Sequence, residues 1–356
     1  MAATSMKTAF GRIFPPRESW LAKALPEPII DPELPIIDTH HHLWHRRGDA
    51  PGDLDNRYLL EEFLADCNTG HTIIGSVFLQ CHAMHRNTGP EPMRPVGETE
   101  FVAGIAAMSD SGMYGDIKVA AGIVGFADLT AGDWVTPVLE AHIRAGGGRF
   151  RGVRHSCGYD PDPVIGNSAP DMQPGLYLRD DFRRGLRRLT ALGLSLDAWG
   201  FHPQLPEIID LARAFPGTNI IMGHCGGPLG YGRHAGKHAE VFAGWKKSIA
   251  ELAKCQNVTM KLGGMMMRLA ALDYLALDRP PSSEELAEHW RPYVETCIEL
   301  FGAERCMAES NFPVEKMGIG FAGLFNALKR IASGCSSDEK RAIFADTARH
   351  IYRLDI

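Results

Sequence analysis

Three consecutive histidines close an apolar run in PIIDTHHHLWH, Pro35 to His45. Imidazole is a frequent ligand for divalent ions and titrates near neutral pH, so the run points first to metal binding or proton transfer. Successive strand side chains face opposite ways, which puts His40 and His42 on one side and turns His41 away. Two imidazoles do not complete a site that needs three or four ligands. Other segments must supply the rest.

Comparable residues recur at the ends of other apolar runs. NIIMGHCGGP places His224 before glycines that let a ligand approach the backbone, and LSLDAWGFHPQL offers Asp197, Trp199 and, slightly beyond, His202. GVRHS ends in Arg154 and His155, and Gln80 ends the run from Thr72. NVTMKLGG carries Lys261 among apolar neighbours, while RCMAESNFP carries Glu309 and Asn311 at one parity. Each has a plainer explanation. A lone strand-end histidine such as His155 or His202 is more often a satisfied polar group, and Lys261 could pair structurally with Asp197 or Glu309. The Met265–Met267 run reads as loop packing. What these explanations leave out is the coincidence of so many ionisable groups at strand ends.

The runs themselves predict eight strands: Pro35–Thr39, Thr72–Gln80, Lys118–Phe126, Phe150–Arg154, Leu194–Trp199, Asn219–Gly223, Val258–Leu262 and Cys306–Ser310. Between them lie helical stripes such as Val241, Phe242, Trp245, Ile249 and Leu252, or Phe182, Leu186 and Leu189. Ser282 with Glu285, and Ser336 with Glu339, form capping boxes that satisfy the free amides of a helix start. This alternation predicts a single (β/α)8 barrel over residues 35–356, preceded by an N-terminal leader, residues 1–34. Helix-to-strand links are short and strand-to-helix links long, so the long loops gather at the C-terminal face. Among them Cys81–Phe101 brings His85, Arg86, Arg94, Glu98 and Glu100 above the barrel, as a lid or a subunit contact.

A chain of 356 residues, 45% hydrophobic and with formal charge −6, can bury a large core and has no basic footprint for nucleic acid. The N-terminal stretch lacks the roughly 7–15-residue apolar core of a signal peptide, and no apolar run reaches the span of about 18 residues that a membrane helix needs. A cytoplasmic protein with a small-molecule substrate, and neither nucleic-acid nor membrane partner, is expected. Its eight cysteines are scattered without a CxxC pair, so free thiols are expected.

The ordered segments IDTHHHLW, GVRHS, LSLDAWGFHPQL, IIMGHCGGPLG, NVTMKLGG and RCMAESNFPVEK, with TARHIYRL near the end, resemble the amidohydrolase superfamily. More narrowly, the chain is similar to amidohydrolase-related TIM-barrel hydrolases that include sugar-lactone and pyrone-dicarboxylate lactonases. The resemblance runs from about Pro35 to Leu354. It implies hydrolysis by water at the C-terminal rim, with metal ligands at His40, His42 and His224. The family's fifth-strand histidine falls loosely on His202. Two departures stand out. Asn311 occupies the place of the aspartate that binds metal and takes the proton, and the metal-bridging lysine of strand four has no counterpart. These leave a mononuclear site or none.

The expected activity is hydrolysis of a lactone or related carboxylated substrate, assisted by one divalent metal, Zn or Mn. Glu309 or His202 would act as base. Lys261 and Asn311 complete the catalytic candidates; Gln80, Arg154, His155, Asp197 and Trp199 would bind substrate. Non-oxidative decarboxylation of an aromatic or unsaturated acid, or binding without turnover, are the alternatives. The resemblance also suggests a homodimer.

Overall fold

In the computed structural model, which describes residues 16–46, 56–169, 171–266 and 274–356, eight apolar segments form one parallel sheet rolled into a (β/α)8 barrel. Its strands are β1 (Ile36–His41), β4 (Ile73–Leu79), β5 (Lys118–Gly125), β6 (Phe150–Arg154), β7 (Ser195–Ala198), β8 (Ile220–Met222), β9 (Val258–Leu262) and β10 (Cys306–Ala308). They neighbour one another in chain order, each joined to the next by helical segments on the outside. The sequence expectation holds strand for strand, with ends shifted by a residue or two.

One addition is a small antiparallel hairpin of β2 (Trp44–Arg46) and β3 (Asn56–Tyr58), within the stretch read as a long loop. Its three-residue strands are too short to show alternation. The indole Nε1 of Trp44 donates to Asn56 Oδ1 at 3.1 Å and ties the two together.

Residues on the two faces of each strand sort into separate cores. Ile37, Val77, Leu79, Val124, Ile221 and Met307 pack together inside, whereas Ile36, Phe78, Val153, Leu196 and Met260 pack against the helices. The predicted stripes are buried in the helices Asp180–Ala191 and His238–Ala253, with Phe242 only partly so, and both capping boxes form. Such a cap is worth about 1 kcal/mol.

Two features of the barrel bear directly on its mouth. In β1 the register slips between Asp38 and His41, where three residues advance against two on β4. The extra residue reverses inward parity, from odd at Ile37 to even at His40 and His42. His41 consequently points out, stacked on Phe63 with ring centroids 4.1 Å apart and bonded to Ser76 Oγ at 3.0 Å. The seam between the first and last strands is closed by main-chain bonds just past β10: Asn311 N–H to His40 O and Phe312 O from His42 N–H, each 2.8 Å.

The opposite end is plugged by the C-terminal segment, where Ala345, Ala348, Tyr352 and Leu354 join the inner core. The described part of the leader lies on the outer wall. Trp20 is buried and donates to Leu277 O at 2.9 Å, and Glu27 accepts from Ser283 N at the start of helix Ser283–Phe301. The first 15 residues of the leader and Met267 lie outside the described residues; Met265 and Met266 are buried in the outer core. All eight cysteines are free, and all but Cys335 are buried. No described helix is long and apolar enough to cross a membrane.

The plug yields an ordered prediction. Tyr352→Phe removes one buried hydrogen bond, to Asp197 Oδ1, and is expected to cost about 1–3 kcal/mol. Tyr352→Ala also opens a cavity and should cost about 3–5 kcal/mol. Chemical denaturation checks both, and equal losses would show that the ring does not fill the barrel floor.

Candidate active site

The inward positions at the C-terminal ends of the strands carry the chemistry. Glu309 follows β10, fully buried, and lies between two imidazoles. Its Oε1 accepts from His224 Nδ1 at 2.7 Å and from the His224 main-chain N–H at 2.9 Å. Its Oε2 lies 2.8 Å from His40 Nδ1, a contact too poorly aligned to count as a hydrogen bond, so this oxygen keeps acceptor capacity. Burial pushes the Glu309 carboxyl up, but His224 and Lys261 pull harder and the net shift is downward. The group is ionised at neutral pH. Gly264 makes the position of His224 possible: a Cβ there would lie 1.7 Å from His224 Nδ1.

His42 stands on the far side of His40. Its Nδ1 donates to Leu79 O at 2.8 Å, which leaves Nε2 as a lone pair. That Nε2 faces His40 Nε2 at 3.3 Å and Asn311 Oδ1 at 3.2 Å. Asn311 is oriented by its Nδ2, which donates to Glu315 Oε1 at 3.3 Å. Burial holds both His40 and His42 well below the ordinary imidazole range, so both are neutral. Neutral imidazole is the form that ligates a metal. His40, His224 and Glu309 each offer a ligating atom within 4.8 Å of the others. Acceptor atoms of His40, His42 and Asn311 converging beside an ionised carboxylate fit one divalent cation.

Arg154 reaches in from β6. Its Nη1 donates to His40 Nε2 at 3.2 Å and its Nη2 to Gln80 O. The side-chain Oε1 of Gln80 is buried and makes no hydrogen bond. Trp199 meets the His224 ring edge-on, centroids 4.5 Å apart, and forms a wall of the site. Thus His40, His42, His224, Glu309, Asn311, Arg154, Gln80 and Trp199 are brought together.

Four other candidates have different surroundings. Lys261 is buried and donates to Asp197 Oδ1 at 2.9 Å, an oxygen that also accepts from Tyr352 OH at 2.6 Å. Both charges are largely committed to that structural pair. His155 points outward, with Phe126 and Phe182 against its ring and Leu129 N donating to its Nδ1; burial lowers it to about 4. His202 accepts from Leu229 N and packs against His234, which with Arg233 binds Asp160. That polar cluster joins the loops after β6 and β8, and the His202 ring is turned to it rather than to Glu309.

Several supporting residues carry weak sequence signals. Asp38 holds Ser310 through both its N–H and its hydroxyl, at 2.8 and 2.6 Å, and also accepts from His40 N at 3.2 Å. Glu315 sits one helical turn after Asn311 in NFPVE, a spacing that could have pointed to it. Glu98, in the helix Val96–Asp110, accepts from Cys81 N and Ala83 N at 2.9 and 2.8 Å, and burial raises it to about 7. It pins the start of the 81–101 segment to the barrel.

Comparisons with known proteins bear on the family and the fold. A family model described as Amidohydrolase matches residues 37–354. The uncharacterized protein y4mH of Sinorhizobium fredii is 32% identical over 337 residues, 90% of this chain and 99% of that one. An L-fucono-1,5-lactonase of Burkholderia ambifaria is 25% identical over 290 residues, 77% of this chain and 88% of that one. Among solved structures, an amidohydrolase from Burkholderia multivorans with bound zinc superposes with TM-score 0.66 at 23% identity, over 90% of this chain and 99% of that one. A protein from Pseudomonas putida assigned as a 2-pyrone-4,6-dicarboxylic acid hydrolase gives 0.60 at 18%, over 91% and 99%. A 5-carboxyvanillate decarboxylase from Novosphingobium aromaticivorans, complexed with manganese, gives 0.57 at 15%, over 91% and 97%.

Gly264→Ala should displace the His224 ring and weaken uptake of zinc or manganese by about 10–100-fold, the range seen when a metal ligand loses its support. Metal analysis after dialysis against a fixed free-ion concentration checks this. Undiminished uptake would remove His224 from the ligand set.

Proposed function

We propose that this chain, which belongs to the amidohydrolase family, hydrolyses a small cyclic ester bearing carboxylate or hydroxyl groups, with water attacking at the C-terminal rim of the barrel. The observation that carries the reading is Glu309, an ionised carboxylate lying between His40 and His224, with a guanidinium on the other side of His40.

Hydrolysis needs a proton acceptor, an electrophile and a binding surface. Glu309 is the acceptor: Asn311 has no basic group, and Glu309 Oε2 retains a lone pair not used by an aligned hydrogen bond. His224 holds the other oxygen in place, as the partner of a base must. Arg154 supplies fixed positive charge for the developing oxyanion or for a substrate carboxylate, where a planar guanidinium binds two oxygens at once. Gln80 Oε1 is a ready acceptor for a substrate hydroxyl, and Trp199 offers an apolar face to the ring. His40, His224 and Glu309, with His42 beside them, would hold a divalent ion. Bound there, zinc or manganese supplies a Lewis acid that lowers the pKa of water and polarises the ester carbonyl.

The relative identified as L-fucono-1,5-lactonase supports the lactone class. The manganese-bearing decarboxylase on the same fold supports a second reading, loss of carbon dioxide from an aromatic acid. A panel of sugar lactones and unsaturated dicarboxylate lactones, followed by proton release on ring opening, separates the two. Ring opening without carbon dioxide is expected; carbon dioxide from an aromatic acid, with every lactone inert, would place the chain with the decarboxylases. Metal removal by a chelator is expected to abolish turnover, and His40→Ala to lose bound metal. Turnover that persists in the stripped protein would leave Arg154 as the electrophile.

A further inference from the structure

The guanidinium of Arg154 lies where it competes with any ion for His40. With Nδ1 of His40 turned to Glu309, 2.8 Å away, Nε2 is the remaining lone pair, and it accepts from Arg154 Nη1 at 3.2 Å. One lone pair serves one cation. A divalent ion beside a guanidinium would also meet like-charge repulsion, which is strong where little water screens it.

A second berth is adjacent. Arg154 and Asp197 are paired in register on β6 and β7, so their side chains are lateral neighbours on the inner wall. Asp197 Oδ1 is taken by Lys261 and Tyr352, but Oδ2 is buried and makes no hydrogen bond. The Nε of Arg154 is likewise buried without a partner. A donor and an acceptor of opposite charge thus stand unpaired on adjacent strands, the arrangement expected of an ion pair made in another state.

We propose that Arg154 and a divalent ion are alternative partners of His40, and that Asp197 receives the displaced guanidinium when the ion enters. The proposal rests on reading the histidine–glutamate cluster as the reaction centre. It gives Arg154 two positions: on His40 it neutralises the acceptor cluster, and on Asp197 it leaves the ligands open. Lys261 and Tyr352 hold Asp197 in place for both.

The test is the affinity for zinc and manganese alone, measured by competition with a chromogenic chelator. It is applied to the wild type, Arg154→Gln, Asp197→Asn and the double variant, with thermal melting of the ion-free proteins to confirm folding. Arg154→Gln is expected to bind about tenfold more tightly or better, since the competitor is gone. Asp197→Asn should bind more weakly, and that loss should vanish in the double variant, where no guanidinium has to be placed. Unchanged or weaker binding by Arg154→Gln overturns the proposal. So does an Asp197→Asn loss that persists in full in the double variant, which marks the carboxylate as a support for Lys261 only. If neither the wild type nor Arg154→Gln takes up either ion, the proposal falls, while the lactone panel still decides the hydrolase reading.

Discussion

A charged carboxylate at the centre of a protein must be compensated where it stands, and the mouth of this barrel is organised around that requirement. Glu309 has no exposure, and removing it from water would by itself keep it protonated. The His224 imidazole and its main-chain amide on one oxygen, with Lys261 nearby, reverse that outcome. The same contacts orient the imidazoles: Glu309 takes the Nδ1 side of His40 and His224, as Leu79 O takes that of His42. Charge compensation and ligand orientation are therefore one set of bonds. Lys261, held in place by Asp197 and through it by Tyr352 from the plug, supplies positive charge from below.

The chain belongs to the amidohydrolase family, and two positions at its rim set the local charge. An amide stands at Asn311 and a guanidinium at Arg154 on β6, so these positions carry a neutral acceptor and a permanent cation. With an amide at Asn311, Glu309 is the carboxylate that lies between the imidazoles.

Much of this was legible in the sequence because it depends on periodicity. Strand parity alone separated His40 and His42 from His41, and gave Glu309 and Asn311 a common face. It worked even though β1 changes parity between Asp38 and His41, because the side chains of His40, His41 and His42 still alternate. What the sequence did not show are relations between distant segments. Tyr352 entering from the C-terminal plug and Asp38 clasping Ser310 each require the barrel to close first, as does the choice of Asp197 over Glu309 as the partner of Lys261. His202 marks the limit of reading at strand ends: four residues past β7 the chain has turned, and parity no longer says where its ring points, whereas His155 faces outward as alternation with Arg154 requires. The hairpin of β2 and β3 escaped because three residues carry no measurable period.

The seam of the barrel gives the histidines a further property. His40 O and the His42 amide, which flank the ligating side chains, are the groups that bond to Asn311 N and Phe312 O and join the first strand to the last. Opening the ring at its seam and dismantling the reaction centre are thus a single cooperative event, without a partly opened barrel that keeps its site. The amide hydrogens of His42 and Asn311 are consequently built-in reporters, exchanging with solvent only as fast as the catalytic geometry itself comes apart.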